Sequence, residues 1–198
     1  MSEQELPPIE QRSEREIADT IKGLHQKFLD LVPQYSNQAW DPRAALKERK
    51  GSCMAELLYV AGGLLANGVV KEQDVTIGFA KDHGEEQPTG FVGKSGKKYA
   101  HTFMLITLGN GVTLETDFRA NRADEEPRLQ RLLPGELEVD DLYLGTIASA
   151  VTEYARVEGV AGPTVSELMG LHLGLLANTR ADDGQSGITG EVTFDEDF

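Results

Sequence analysis

Apolar positions along the chain fall into blocks of helical and strand period, and the blocks change type in order. Ser13 and Glu16 have capping-box spacing, and Ile17, Ile21, Leu24, Phe28 and Leu31 follow at alternating steps of four and three, which predicts a helix with one buried stripe. Asp41 before Pro42 reads as N-cap and first turn of a second helix, running roughly to Lys50 with Gly51 as its stop. Ser52 then caps a third, in which Leu57, Leu58, Ala61, Leu64 and Leu65 are apolar on one broad side and Asn67 with Gly68 ends the run. The period changes to two at Val75, Ile77 and Phe79, which predicts a strand. Two further apolar runs, "YAHTFMLITL" and "VTLETDF", are separated by Gly109, Asn110 and Gly111, a hairpin signal. Helical spacing returns at Leu144, Ile147, Ala148, Val151 and Tyr154, and again at Leu168, Leu171 and Leu175 behind a capping box of Thr164 and Glu167.

Helices first, an antiparallel sheet in the middle and helices last make an α+β chain. Residues 1–12 are polar and proline-bearing and read as a flexible arm, residues 13–179 as one domain, and residues 180–198 as a mobile acidic tail in which "EVTF" has the composition of an edge strand. The stretch "KDHGEEQPTGFVGKSGKK", 81–98, is long and glycine-rich for a connector and is expected to wall a substrate cleft. "GLLAN" occurs at 63–67 and 174–178, but the flanking residues differ, so no repeat is inferred.

Composition narrows the functional classes. A formal charge of −14 opposes binding to phosphate backbones, and the one basic run, Lys94, Lys97 and Lys98, is short and lies among glycines, so no nucleic acid partner is expected. No run is apolar enough to span a bilayer, and the first residues lack the basic and apolar regions of a signal peptide, which points to a cytoplasmic protein with no membrane partner. A single cysteine allows no internal disulfide.

That cysteine, Cys53, falls in the first turn of the third helix, where free amides and the helix dipole favour a thiolate. An inward-facing cysteine there is otherwise a small apolar residue. Of the four histidines, His25 borders the stripe of the first helix, His83 lies in the charged stretch, and His172 sits among leucines as an interior or boundary residue. His101 differs: it heads an apolar strand whose hairpin partner carries Glu115 and Asp117. A two-residue turn at Asn110 and Gly111 puts Asp117 on the face of Thr102 and Met104. A three-residue loop at 109–111 instead sets Phe103 opposite Asp117 and Leu105 opposite Glu115, so that both acids share the parity of His101. Asp117 is then the nearer orienting carboxylate, with Glu115 the alternative.

"AALKERKGSCMAELLYVAGGLLANGV" followed by "YAHTFMLITLGNGVTLETDF" resembles the transglutaminase-like superfamily of papain-type thiol enzymes, over roughly residues 40 to 120. In that family a cysteine in a G-x-C motif begins a helix, a histidine begins a strand, and an aspartate lies on the next strand. The resemblance implies a papain/transglutaminase-like core, with the nucleophile helix packed on an antiparallel sheet and extra helices at either end. It implies Cys53 as nucleophile, His101 as base and Asp117 as the acid holding the imidazole. Phe103 stands where the family has an aromatic two positions after its histidine, whereas no proline follows Asp117. Trp40, Gln38 or the amides opening the Cys53 helix are the candidates for the oxyanion hole. The implied chemistry is attack of Cys53 on an amide or peptide carbonyl, loss of an amine, and resolution of the thioester by water or by a second amine. Hydrolysis of a peptide or protein substrate without cofactor or metal is the expected outcome, amine transfer the alternative, and a non-catalytic interaction module of the same fold the alternative from a different class.

Overall fold

The computed structural model describes residues 13–36, 39–80, 91–92, 98–99, 101–118, 127–132 and 142–182. The expected arm, "EVTF" and most of 81–98 lie outside them, and of that stretch two short strands are described. In chain order the elements are α1 (Glu14–Leu31), β1 (Gln34–Tyr35), α2 (Pro42–Glu48), β2 (Lys50–Gly51), α3 (Cys53–Ala66), a 3-10 turn (Glu72–Asp74), β3 (Val75–Ala80), β4 (Phe91–Val92), β5 (Lys98–Tyr99), β6 (His101–Thr107), β7 (Thr113–Asp117), β8 (Arg128–Leu132), β9 (Leu142–Gly145), α4 (Ile147–Glu158) and α5 (Val165–Asp182). The class is α+β, with five helices and a five-stranded antiparallel sheet of order β8-β7-β6-β3-β9 among the described residues.

α3 is the centre of the molecule. Every residue from Met54 to Leu65 is buried, so it is covered all round rather than on one broad side. Helices this apolar are stable only inside a core. The adjacent Gly62 and Gly63 each cost the helix about 1 kcal/mol relative to alanine, but a fully buried leucine contributes about 2 kcal/mol, and Leu57, Leu58 and Leu64 are all at 0 % exposure. Burial therefore wins. The glycines let α5 approach: a Cβ on Gly62 would stand 2.6 Å from the Leu168 carbonyl oxygen, and one on Gly63 2.9 Å from the His172 ring. α1 packs its stripe of Ile17, Ile21, Leu24 and Phe28 on another side of α3. The sheet covers the next side with Val75, Ile77, Phe79, Met104, Ile106 and Leu114, which join α3 in one core. On the opposite sheet face Phe103, Leu105 and Leu132 form a separate small cluster.

The caps fold as their sequences imply. The Ser13 hydroxyl accepts from the Glu16 amide while the Glu16 carboxylate accepts from the Ser13 amide, and Thr164 and Glu167 repeat the exchange at α5. Asp41 accepts from the Arg43 amide, and Arg43 reaches on to Glu167 at 2.5 Å, tying α2 to the start of α5.

Three further expectations differ from the structure. α2 ends at Glu48, because Arg49 itself takes the left-handed conformation at φ 56°, and Gly51 serves close packing instead, a Cβ there meeting Phe28 at 2.9 Å. Leu144 lies in β9 and not in a helix, since "LYLG" pairs with β3 and Thr146 caps α4 only afterwards, leaving Ala148 exposed. α5 continues to Asp182, taking in the first three residues of the expected tail.

Candidate active site

The segment before Cys53 is fixed from two sides. β1 and β2 pair in parallel with Tyr35 opposite Gly51, and the Ser52 amide donates to the Ala39 carbonyl at 3.0 Å. Ser52, buried, has its hydroxyl at 3.4 Å from the Ala55 amide and caps α3. Cys53 is the first helical residue and half-buried, which leaves its thiol among the unpaired amides of the first turn.

Five influences act on that thiol. Burial raises its pKa most, and the Glu56 carboxylate one turn on raises it further; the Thr102 hydroxyl and the amides of Met54 and Cys53 pull it down without cancelling the rise. Together these effects favour the thiol over the thiolate. Tyr35 and Tyr154 are electrostatic neighbours of the sulfur: burial, then the Cys53 charge, pushes Tyr35 up to about 12, and the same two causes lead the rise at Tyr154.

The hairpin settles the register. The Leu108 amide donates to Val112 at 2.8 Å and the Gly111 amide to Leu108 at 2.9 Å, with Gly111 at φ +81°, so the loop is the three residues Gly109, Asn110 and Gly111. Phe103 pairs with Asp117 and Leu105 with Glu115. His101, opposite Ala80 of β3, therefore shares the parity of both acids; its backbone is described and its side chain is not. Asp117 is buried at 6 % exposure, whereas Glu115 is half-buried. Thr102, next to His101 in sequence, has the opposite parity and brings the start of β6 against the thiol.

Of the oxyanion candidates, Trp40 is 3 % exposed and packs on Tyr154 at 5.0 Å, a core anchor. The first-turn amides lie beside the sulfur, while Gln38 and His83 are outside the described residues. His172 is an interior residue whose Nε2 bonds to the Tyr59 carbonyl at 2.8 Å. His25 is packed beside the stripe it borders: its Nδ1 bonds to the Glu56 carboxylate inside the core, beside the Phe118 ring. The sequence signal for that pair was weak, two polar residues each interrupting an apolar helix face.

A groove of about 650 Å³ opens near the far end of α3, lined by residues such as Ser13, Ile17, Val70, Gln73, Leu108 and Asn110. It includes none of the candidate catalytic residues. Among the described residues no cluster of histidine, cysteine and carboxylate side chains has a metal-binding arrangement, and no helix is long and apolar enough to cross a membrane. The chain matches no protein-family model, and no curated protein is significantly similar to it.

Proposed function

We propose that the chain is a thiol-dependent acyl-transfer enzyme of transglutaminase-like type. Cys53 attacks an amide or peptide carbonyl, His101 takes the thiol proton and returns it to the leaving amine, and Asp117 orients the imidazole. Water then resolves the thioester. The observation that carries this reading is the meeting of two chain segments: the first turn of α3 lies against the start of β6, at the residue next to His101. Asp117 has the parity of that histidine, opposite to the face of Met104 and Ile106 toward α3, so the reading requires the imidazole to reach the thiol around the first residue of β6. In the papain-like arrangement a nucleophile helix abuts the sheet that carries base and acid. A thiol held neutral until its base removes the proton is compatible with concerted attack.

The test is hydrolysis of a panel of peptidyl amides, together with labelling of Cys53 by a peptidyl vinyl sulfone. Cys53→Ala abolishes turnover while unfolding at the same urea concentration as wild type, and His101→Ala abolishes both turnover and labelling. Full turnover by Cys53→Ala removes the enzyme reading for this site. The second reading, a non-catalytic interaction module of the same fold, is favoured by one observation, the upward push of burial on the thiol; unlabelled wild-type protein with no turnover selects it.

A further inference from the structure

We propose that Thr102 and Thr116 hold one buried water molecule between the sheet and α3, each hydroxyl bonding to it from its own strand. The placement matters for rate only under the acyl-transfer reading; the site itself does not depend on that reading.

On the sheet face toward α3, β6 presents Thr102, Met104 and Ile106, and β7 with the residue after it presents Leu114, Thr116 and Phe118. The register pairs Met104 with Thr116 and Ile106 with Leu114, so Thr102, two residues before Met104, stands diagonal to Thr116. The outer neighbours are apolar: Phe79 of β3 lies opposite Thr102, and Leu129 of β8 opposite Thr116. Two hydroxyls thus sit near each other in an otherwise apolar layer. Thr102 is 5 % exposed and Thr116 0 %, and neither Oγ1 has a hydrogen-bond partner among the described residues, the other hydroxyl and the Cys53 sulfur included.

A buried hydroxyl left unbonded costs free energy, and nearly all such groups are satisfied by protein or by ordered water. Two on one diagonal share a single remedy. Cβ atoms of diagonal neighbours lie about 7 Å apart, beyond a direct bond between hydroxyls and matched to two hydrogen bonds of about 2.8 Å through one water. The water accepts from one threonine and donates to the other, since each hydroxyl can do either. Two partners meet the lower limit for a buried water. Thr102 follows His101 and Thr116 precedes Asp117, so the water ties β6 to β7 directly behind the candidate base and acid.

The Tyr59 hydroxyl supplies an internal control. It too is buried without a partner among the described residues, but its ring packs on Phe28 of α1 at 5.3 Å and on His172 of α5 at 4.3 Å.

Oxygen-17 relaxation dispersion of the solvent counts long-lived internal waters by their oxygen, so exchange of threonine hydroxyl protons does not enter. Wild type is expected to hold one such water more than the double variant Thr102→Val/Thr116→Val. Thr102→Ser and Tyr59→Phe keep the wild-type amplitude. Urea unfolding gives a second reading, with opposite signs in the two cases. With the water, each single valine variant strands the other hydroxyl and lowers the folding constant about tenfold, while the double variant, with nothing left to satisfy, is at least as stable as either single. Without it, wild type already carries two unbonded hydroxyls, so each valine stabilises and the two gains add. Tyr59→Phe adds to either valine variant without coupling. Near-ultraviolet circular dichroism checks that each variant keeps its packing, and the sign of the single variants decides even where the double variant fails to fold. Equal dispersion in wild type and the double variant overturns the proposal, as do stabilising, additive singles; coupling with equal dispersion would show a direct hydroxyl contact and overturns it as well. None of these readings uses turnover. An active Cys53→Ala removes the acyl-transfer reading and leaves the water, and an absent water leaves that reading as it stands.

Discussion

The two ends of α3 are built for different purposes. From Tyr59 to Leu65 the helix is closed mainly by apolar contact and by backbone proximity: Gly62 fits against Leu168, Gly63 against Leu24 and His172, and the His172 ring brought in is satisfied by the Tyr59 carbonyl, while the buried Tyr59 hydroxyl has no partner among the described residues. From Ser52 to Glu56 the same helix gathers a thiol, a buried carboxylate, a buried histidine and a buried hydroxyl, next to two tyrosines. Burying such groups costs free energy that apolar residues of equal size would not cost. A fold that needed only stability would have packed this turn like the rest, so the polar turn is where function is expected and the glycine turn is where stability is expected.

The largest effect that would break this division is kinetic. Asp117→Asn keeps volume and one hydrogen bond but cannot stabilise an imidazolium, and a drop in kcat of roughly 10⁴-fold, about 5 kcal/mol, is expected with little change in KM. Glu115→Gln, on the same parity but half-buried, is expected to cost less than tenfold. Steady-state kinetics on a peptidyl amide decides the order, and the reverse ranking makes Glu115 the orienting acid.

At the other end the expected effect is on stability alone. Gly62→Val forces atoms into the Leu168 backbone, which cannot rotate away as a side chain would, and about 3 kcal/mol or more is expected to be lost in urea unfolding. Below the unfolding transition the Cys53 titration, followed in 13Cβ-cysteine-labelled protein, should be unchanged. A shifted thiol in a well-folded Gly62→Val would mean that the two ends are coupled through α3.

His172 gives the same end a pH dependence. Burial lowers its pKa from 6.5 to about 4, partly offset by the Tyr59 hydrogen bond and reinforced by Lys27. The unfolded chain therefore takes up the proton first, and the native state is favoured fully above pH 6.5 and progressively less as pH falls toward 4. Roughly 2 to 3 kcal/mol of native stability is expected to disappear between pH 7 and 4.5 through this group. His172→Gln retains a donor for Tyr59 without the charge. The stability difference between wild type and this variant should shift by that amount over the same range; a constant difference would show that His172 is as easily protonated folded as unfolded.

What was legible in the chain follows from how local each signal is. The caps at Ser13, Asp41, Ser52 and Thr164 need only the next three or four residues, and all form. The hairpin register was legible up to a choice between two loops, which the left-handed Gly111 resolves. β8 was missed, because Arg128–Leu132 shows no alternation strong enough to separate it from a loop and is a strand by pairing with β7. Leu144 was misread because it continues the helical spacing of Ile147 and Val151, although its backbone bonds go to β3. Of the candidate site, Cys53 at a helix start and Asp117 on the parity of His101 were readable. The groups that act on the thiol were not, since Tyr35, Thr102 and Tyr154 come from three other elements and only tertiary packing brings them to one place.

The smallest expected effect sharpens the comparison most, because it lies between the two ends. Glu56 is the last polar residue of the turn before the apolar run, 1 % exposed, and bonded to His25 of α1. Its carboxylate sits where the α3 amides favour an anion, and Cys53 competes for the same field one turn earlier. Glu56→Gln preserves a hydrogen-bond partner for His25 and removes the charge. The sign follows directly: a nearby anion disfavours the thiolate, so its loss lowers the Cys53 midpoint, by something under one pH unit, or about 1 kcal/mol. The 13Cβ titration of Cys53 measures the shift. A midpoint that rises would mean that Glu56 serves the thiol chiefly by holding α1 against the first turn of α3, and the polar end would then be, in part, a packing device like its apolar counterpart.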